Sequence, residues 1–437
     1  MAIHGDNTHA AAGQLNASHG VVNSRPVRAI STAAVLLLAS VAPADGVLPG
    51  DQQVFFPDGA GLEGAAFLSL LLWRRRRAPS GAARALSLAA LLCGCSYPHG
   101  LTRTPATGTP ATAPASLSLA VLYAGSDARE ASADQGGNVW IATASGVRVA
   151  LSDGGLLVFT QASANLASDA ARTVAGGPAG QCLVGFEPQE APGAANPPQL
   201  NYLTLDGTAD AGVTVEAFPF NLTGEVVQAN HAAFDPRRDQ FWIGTNEGLS
   251  LFDSARDVLE HRHPVHPHGL TNGVAITRHG DVWDGDEFQL SRLNAGPQAD
   301  FSATFDPVLT PFPLAQQNLS ALALDAAEHV WAASLSQGLA VVDADAMTAT
   351  LWDLSAGLPS LLVQAVAVDP DGSVWVGTAD RGLGRLAPST GRWQVVDATS
   401  GLGSQEVRDL AVVTSGAGGA RRVAIVTGAG VATYSGP

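Results

Sequence analysis

Between residues 363 and 397 the chain alternates apolar and polar positions in four short bursts. VQAVAVD is a β-branched run closed by the turn DPDG. SVWVGT follows, then ADRG, LGRL, PSTG and RWQVV. Period-2 alternation bounded by Gly, Asp and Pro predicts four strands joined by tight turns. The pattern returns in QFWIGTNEGLSLFD around Trp242, DVWDGDEFQLSRL around Trp283, HVWAASLSQGLAVVD around Trp331 and NVWIATASGVRVA around Trp140. From Trp242 onward these Trp are 41, 48 and 44 residues apart. QCLVGF at 181–186 and RRVAIVTGAGVATY at 421–434 are degenerate copies, which makes seven units from about residue 116 to the end.

Repetition at this length, with four strands per copy, is the signature of propeller blades. One such sheet has two apolar faces and cannot bury both alone, so blades pack on neighbours and close into a ring. The expected fold is therefore all-β, a seven-bladed β-propeller over 116–437. Trp140, Trp242, Trp283, Trp331 and Trp375 are expected to be structural, filling the space between blades. The last copy stops after three strands, and an unpaired run, SLSLAVLYAG at 116–125, precedes the first. That run is expected to complete the last blade, removing an open edge.

DPDGSVWVGTADRGLGRL, preceded by GLPSLLVQAVAV, resembles the two-component regulator propeller repeat. The likeness is good in the copies at Trp242, Trp331 and Trp375 and partial at Trp140 and Trp283. Propellers of that family are mostly extracytoplasmic sensor or scaffold domains, often placed ahead of a membrane helix and a histidine kinase. The resemblance implies the fold and an extracytoplasmic compartment. It also implies one functional reading, a detached sensor domain working with a separate kinase.

The first hundred residues are of another kind. Arg74 to Arg77 and Arg84 form a cationic stretch, Leu86–Leu92 is a short apolar run, and Leu92-Cys93-Gly94-Cys95 follows. This is the order of a signal peptide. Its end resembles a bacterial lipobox, which implies cleavage before Cys95 and lipidation of its sulfur; Cys93 departs from the usual small residue. The apolar run is too short to span a bilayer, which takes about 20 residues. Residues 1–95 are thus read as a targeting region, and its upstream apolar runs at 29–42 and 64–73 are either membrane segments or sequence ahead of a later true start. Residues 96–115, rich in Pro, Thr and Ala, are read as a flexible linker.

Composition narrows the partners. The chain has 23 Arg, no Lys and 39 acids, for a net charge of −16. Seven of the Arg and only five of the acids lie before Ser96, so the propeller is the more acidic part. Such a surface repels phosphate backbones, and nucleic acid is not an expected partner. Cys182 is the one Cys in the body, in the apolar run QCLVGF, and reads as a small buried side chain. Asp at the end of each inner strand, as in Asp369–Asp371, is assigned to turn geometry.

Function in a ring of repeats is sought where copies differ. The copy at Trp283 departs most. Its leading loop, EHRHPVHPHGLTNG, carries His266 and His268, and its second strand has Asp284 and Asp286 where others have Gly-Thr. His231, in QANHAAFD, begins the neighbouring inner strand. Imidazole and carboxylate together suit a divalent metal or a proton transfer. These five residues are the candidate site, with a divalent metal as the candidate cofactor. The alternative is a polar loop with solvated His and turn-capping acids. No catalytic motif such as GxSxG or HExxH is present.

The leading reading is an exported, lipid-anchored monomer that binds a protein or glycan on one propeller face without catalysis. The competing enzyme reading is a metal-dependent lyase or lactonase type, a class that also uses propellers with acids and His near the axial opening.

Overall fold

The computed structural model describes residues 102–106, 117–188, 200–207, 212–218, 227–253, 258–262, 270–287, 290–293, 305–306, 318–346, 348–413 and 422–435. They form seven antiparallel sheets, each built on the hairpin order expected for a blade. Blades 1 to 7 span 128–159, 171–218, 229–262, 271–306, 319–352, 363–396 and 407–435. Their inner strands are Ala128–Ala133, Ala171–Gly176, Ala229–Asp235, Thr271–Ile276, Leu319–Leu324, Val363–Val368 and Val407–Val413. Each inner strand lies against the next, and the seventh lies against the first, so the ring is closed.

Closure follows the sequence expectation. Leu119–Tyr123 pairs antiparallel with Gly430–Ser435, with Leu119 opposite Tyr434, and supplies the missing outer strand of blade 7. Thr102–Pro105, in the stretch expected to be linker, pairs in parallel with Thr348–Trp352 and adds a fifth strand to blade 5. An outermost strand leaves one edge unpaired, and a Thr-rich segment is suited to take it. This part of the expected tether is therefore strand.

The core is not one mass. Among the described residues it divides into seven apolar clusters, one at each junction between blades. Trp140 packs against Val174 and Val184 of blade 2, and Trp375 against Leu410 and Ile425 of blade 7. Trp242, Trp283 and Trp331 likewise join the cluster shared with the following blade. All five are buried. Large rings are needed because flat sheets diverge outward from the axis and leave wedge-shaped gaps.

The inner-strand acids hold this packing together. Asp134 accepts from the amides of Gly136 and Asn138 with Oδ1, and from the Trp140 indole with Oδ2 at 3.0 Å. Asp325 repeats the arrangement with Ala327, His329 and Trp331. One carboxylate thus fixes the turn and the ring beneath it. Cys182 is fully buried.

Candidate binding site at the channel mouth

Every inner strand is interrupted at its second residue. Ala128 pairs with Thr143 and Glu130 with Ala142, so Arg129 is an extra residue in the ladder. The same shift leaves Arg172, Asn230, Asn272, Ser320, Gln364 and Arg408 bulged in the other six blades. A bulge re-aims its side chain and leaves ladder groups unpaired. All seven bulged side chains are polar, and all seven line one cavity of about 600 Å³ at the mouth of the central channel.

Five of the bulged side chains make one and the same bond. Arg129 donates to the carbonyl of Ala171 at 3.1 Å, Asn230 to Thr271 at 3.2 Å, and Asn272 to Leu319 at 3.1 Å. Ser320 donates to Val363 at 2.7 Å, and Arg408 to Ala128 at 2.8 Å. In each case the acceptor is the first residue of the next inner strand. Arg172 reaches instead the Asn230 side chain, at 3.3 Å. Gln364 makes no hydrogen bond among the described residues, and its Oε1 is buried. The bulges are thus latches from blade to blade.

The mouth is chemically lopsided. Blades 7, 1 and 2 contribute the three guanidiniums, and blades 3 to 6 contribute amides and a hydroxyl. Glu187 is shared by Arg129 and Arg172 at 3.0 and 3.2 Å, and Glu406 pairs with Arg408 at 2.9 Å. Between these latches and the channel interior stand Glu130, His231 and Asp409. Asp409 accepts from the amide of Ala131 at 2.8 Å. His231 Nε2 lies 3.9 Å from Glu130 Oε1. Ala321, Leu322, Val366 and Leu410 also line the cavity.

A narrow channel desolvates its titratable groups even where they touch water. Burial, then the neighbouring Asp409, hold the Glu130 carboxyl well above its usual range, against the opposing Thr173 hydroxyl. Burial pushes Asp409 up to about 6 and His231 down to about 4. His231 is therefore a neutral imidazole at pH 7.

The five residues proposed from sequence do not share one place. His231 lines the cavity; Asp284 and Asp286 do not. By strand alternation the two acids lie on the face of Val282, which packs with Trp242 and Leu251 of blade 3. Both are buried. Asp284 occupies the position held by Ile141, Val184, Ile243, Ala332, Val376 and Ile425 in the other blades. Its Oδ1 has no hydrogen-bond partner among the described residues. Burial and the adjacent Asp286 push it up to about 7, with Thr271 opposing. Asp286 replaces the Thr that elsewhere caps the hairpin, as Thr378 does on Gly382 at 2.8 Å. His266, His268 and Cys95 lie outside the described residues. Among the described residues no group of three or more His, Cys, Asp or Glu is placed to hold a metal ion.

Arg129, Arg172, Arg408, Glu130 and Asp409 were not singled out from the sequence. A signal was present: ARE, ART and VRD open three of the inner strands, each with a charge where an apolar alternation begins.

Comparison with known proteins agrees with this architecture. Residues 357–380 match the two component regulator propeller family. No curated protein sequence matches the chain. Among solved structures, the chain is similar to the extracellular domain of a hybrid two component system protein from B. thetaiotaomicron, at 16% identity and TM-score 0.53. That match covers 71% of this chain and 40% of the other, so the chain spans about two fifths of that extracellular domain. Streptogramin B lyase is similar at 10% identity and TM-score 0.53, over 73% of this chain and 97% of the enzyme. YCF48, solved with the D1 peptide, is similar at 12% identity and TM-score 0.53, over 76% and 100%. At these identities the likeness is one of fold. No helix among the described residues is long and apolar enough to cross a membrane.

Proposed function

We propose that the protein is an exported, lipid-anchored propeller of the sensor or scaffold type, which binds a ligand or partner at the channel mouth without catalysis. One observation carries the reading: seven of seven bulges bring a polar side chain to the rim of one cavity of about 600 Å³. A cavity of that size with convergent polar groups is large enough to hold a small molecule and to fix its orientation. The latches hold those groups in place before any ligand arrives, which lowers the entropic cost of binding. Export and anchoring rest on the Leu92–Cys95 motif and the cationic and apolar run before it.

The test fills the cavity. Ala321 lines it and has no side-chain polar group to lose. Thermal-shift measurements on the full-length protein and on Ala321→Phe, across a panel of amino acids, sugars and organic acids, are expected to find ligands that stabilise only the wild type. Ligands that stabilise both proteins equally, or a panel with no hit, would overturn the proposal.

A further inference from the structure

We infer that the ligand class of the mouth is zwitterionic, an α-amino acid or short peptide with an apolar side chain; this rests on the binding reading above. Arg129 stands at the rim on blade 1. Both of its hydrogen bonds, to the Ala171 carbonyl and to Glu187, come from Nη1. Its Nε and Nη2 make no bond among the described residues. That edge is the one that grips a carboxylate bidentately. The side chain is about one-third exposed, so the free edge is reachable from the cavity.

One residue further along the same strand stands Glu130, and Asp409 stands beside Arg408 in the adjacent blade. Arg-acid dipeptides therefore occur side by side in blades 1 and 7, each with the cation at the bulge and the acid one position inward. Guanidiniums at the rim and the Asp409 carboxyl one residue inward place a partner for a carboxylate beside a partner for an ammonium. Gln364 Oε1, buried and without a partner, adds a neutral acceptor on the blade next to Asp409. Leu322, Val366 and Leu410 line the same cavity, where a hydrocarbon side chain would meet their edges.

Other chemistries fit less of this. A simple anion would use Arg129 but meet the Asp409 carboxyl behind it. A simple cation would reach those acids only past three guanidiniums. A neutral sugar would leave the Arg129 edge unused.

The experiment is titration calorimetry on the full-length protein with glycine, leucine, phenylalanine and leucyl-leucine, beside 3-methylbutylamine and 4-methylpentanoate. The two last compounds are leucine without its carboxylate and without its amine. A zwitterion is expected to bind at least about tenfold more tightly than either, since each lost contact to a charged group is worth that much. Arg129→Lys, which keeps the charge but not the fork, and Asp409→Asn, which keeps an acceptor for Ala131, are each expected to weaken it about tenfold. Unchanged melting temperatures in both variants separate lost contacts from lost folding. Amine or acid binding as well as leucine, or full affinity in Arg129→Lys, overturns the inference. If no zwitterion binds while another compound stabilises wild type but not Ala321→Phe, the zwitterion assignment falls and the binding reading stands. If Ala321→Phe blocks nothing, both fall.

Discussion

Arg408, on the last blade, donates through Nη1 to the carbonyl of Ala128, the first residue of the first blade, at 2.8 Å. This bond crosses the seam where a linear chain becomes a ring. The outer edge of the same blade is closed by Leu119–Tyr123. The ring is therefore fastened twice, once at the rim of the channel and once at the periphery. Arg408→Ala leaves the Ala128 carbonyl without this donor, and a cost of about 1–3 kcal/mol is expected in urea unfolding. Ser320→Ala, which deletes the equivalent bond between blades 5 and 6, is expected to fall in the same range. A near-neutral result for both would show that water replaces the latches.

Trp375 is fully buried, with its ring 5.1 Å from that of Tyr434 and the Arg385 guanidinium 5.0 Å above it. Its cluster joins blades 6 and 7. Trp375→Ala is expected to destabilise the protein by about 3–5 kcal/mol. The same substitution at Trp140 also removes one donor from Asp134, which keeps Asn138 and Gly180 on that oxygen, so it is expected to cost at least as much.

Asp284 carries a pH signature. Its carboxyl is raised to about 7 in the folded protein, while in the unfolded chain it titrates near the ordinary value of about 4. Between those values the folded state keeps a proton that the unfolded state releases. Stability from this group is therefore full below about pH 4 and falls as pH rises to about 7, by roughly 4 kcal/mol. Asp409, raised to about 6, adds a fall of the same sign over a narrower window. Asp284→Val restores the side chain type of the other blades. It is expected to flatten the wild-type slope and to stabilise the protein near neutral pH. An unchanged difference between wild type and variant across the range would show that Asp284 is paired when ionised.

Cys95→Ala is expected to move the protein from the membrane to the soluble fraction on cell fractionation. Wild-type protein in the soluble fraction would refute the lipobox reading directly.

Much of the fold was legible because blade formation is a matter of periodicity. Alternation, Gly-Asp turns and the spaced Trp carry the strand count, the junctions and the closing strand. The bulges were not legible in the same way, because a bulge is a fact about register between two strands. Arg129 in AREASA looks like an ordinary exposed residue until its partner strand is seen to skip it. Aligning the seven copies shows a polar residue at the second place of every inner strand, and that regularity was the available signal. Asp284 stood out in the sequence as a departure from its siblings, but alternation alone did not say which neighbour it would face. Asp284 lies on the buried face toward blade 3 while His231 lines the cavity, and this divides what the sequence grouped as one site.

The latches at the mouth all run one way, from each blade to its successor. Because the Gln364 side chain makes no such bond, the circle of latches at the rim is a line. It begins at Arg408 and passes through blades 1 to 5 to end on Val363 of blade 6. The rim thus has a polarity and one joint, between blades 6 and 7, that no bulged side chain spans. That joint is held by other means: the Gly382 amide donates to the Gln405 carbonyl at 2.8 Å, and the Trp375 cluster fills the space between the two blades.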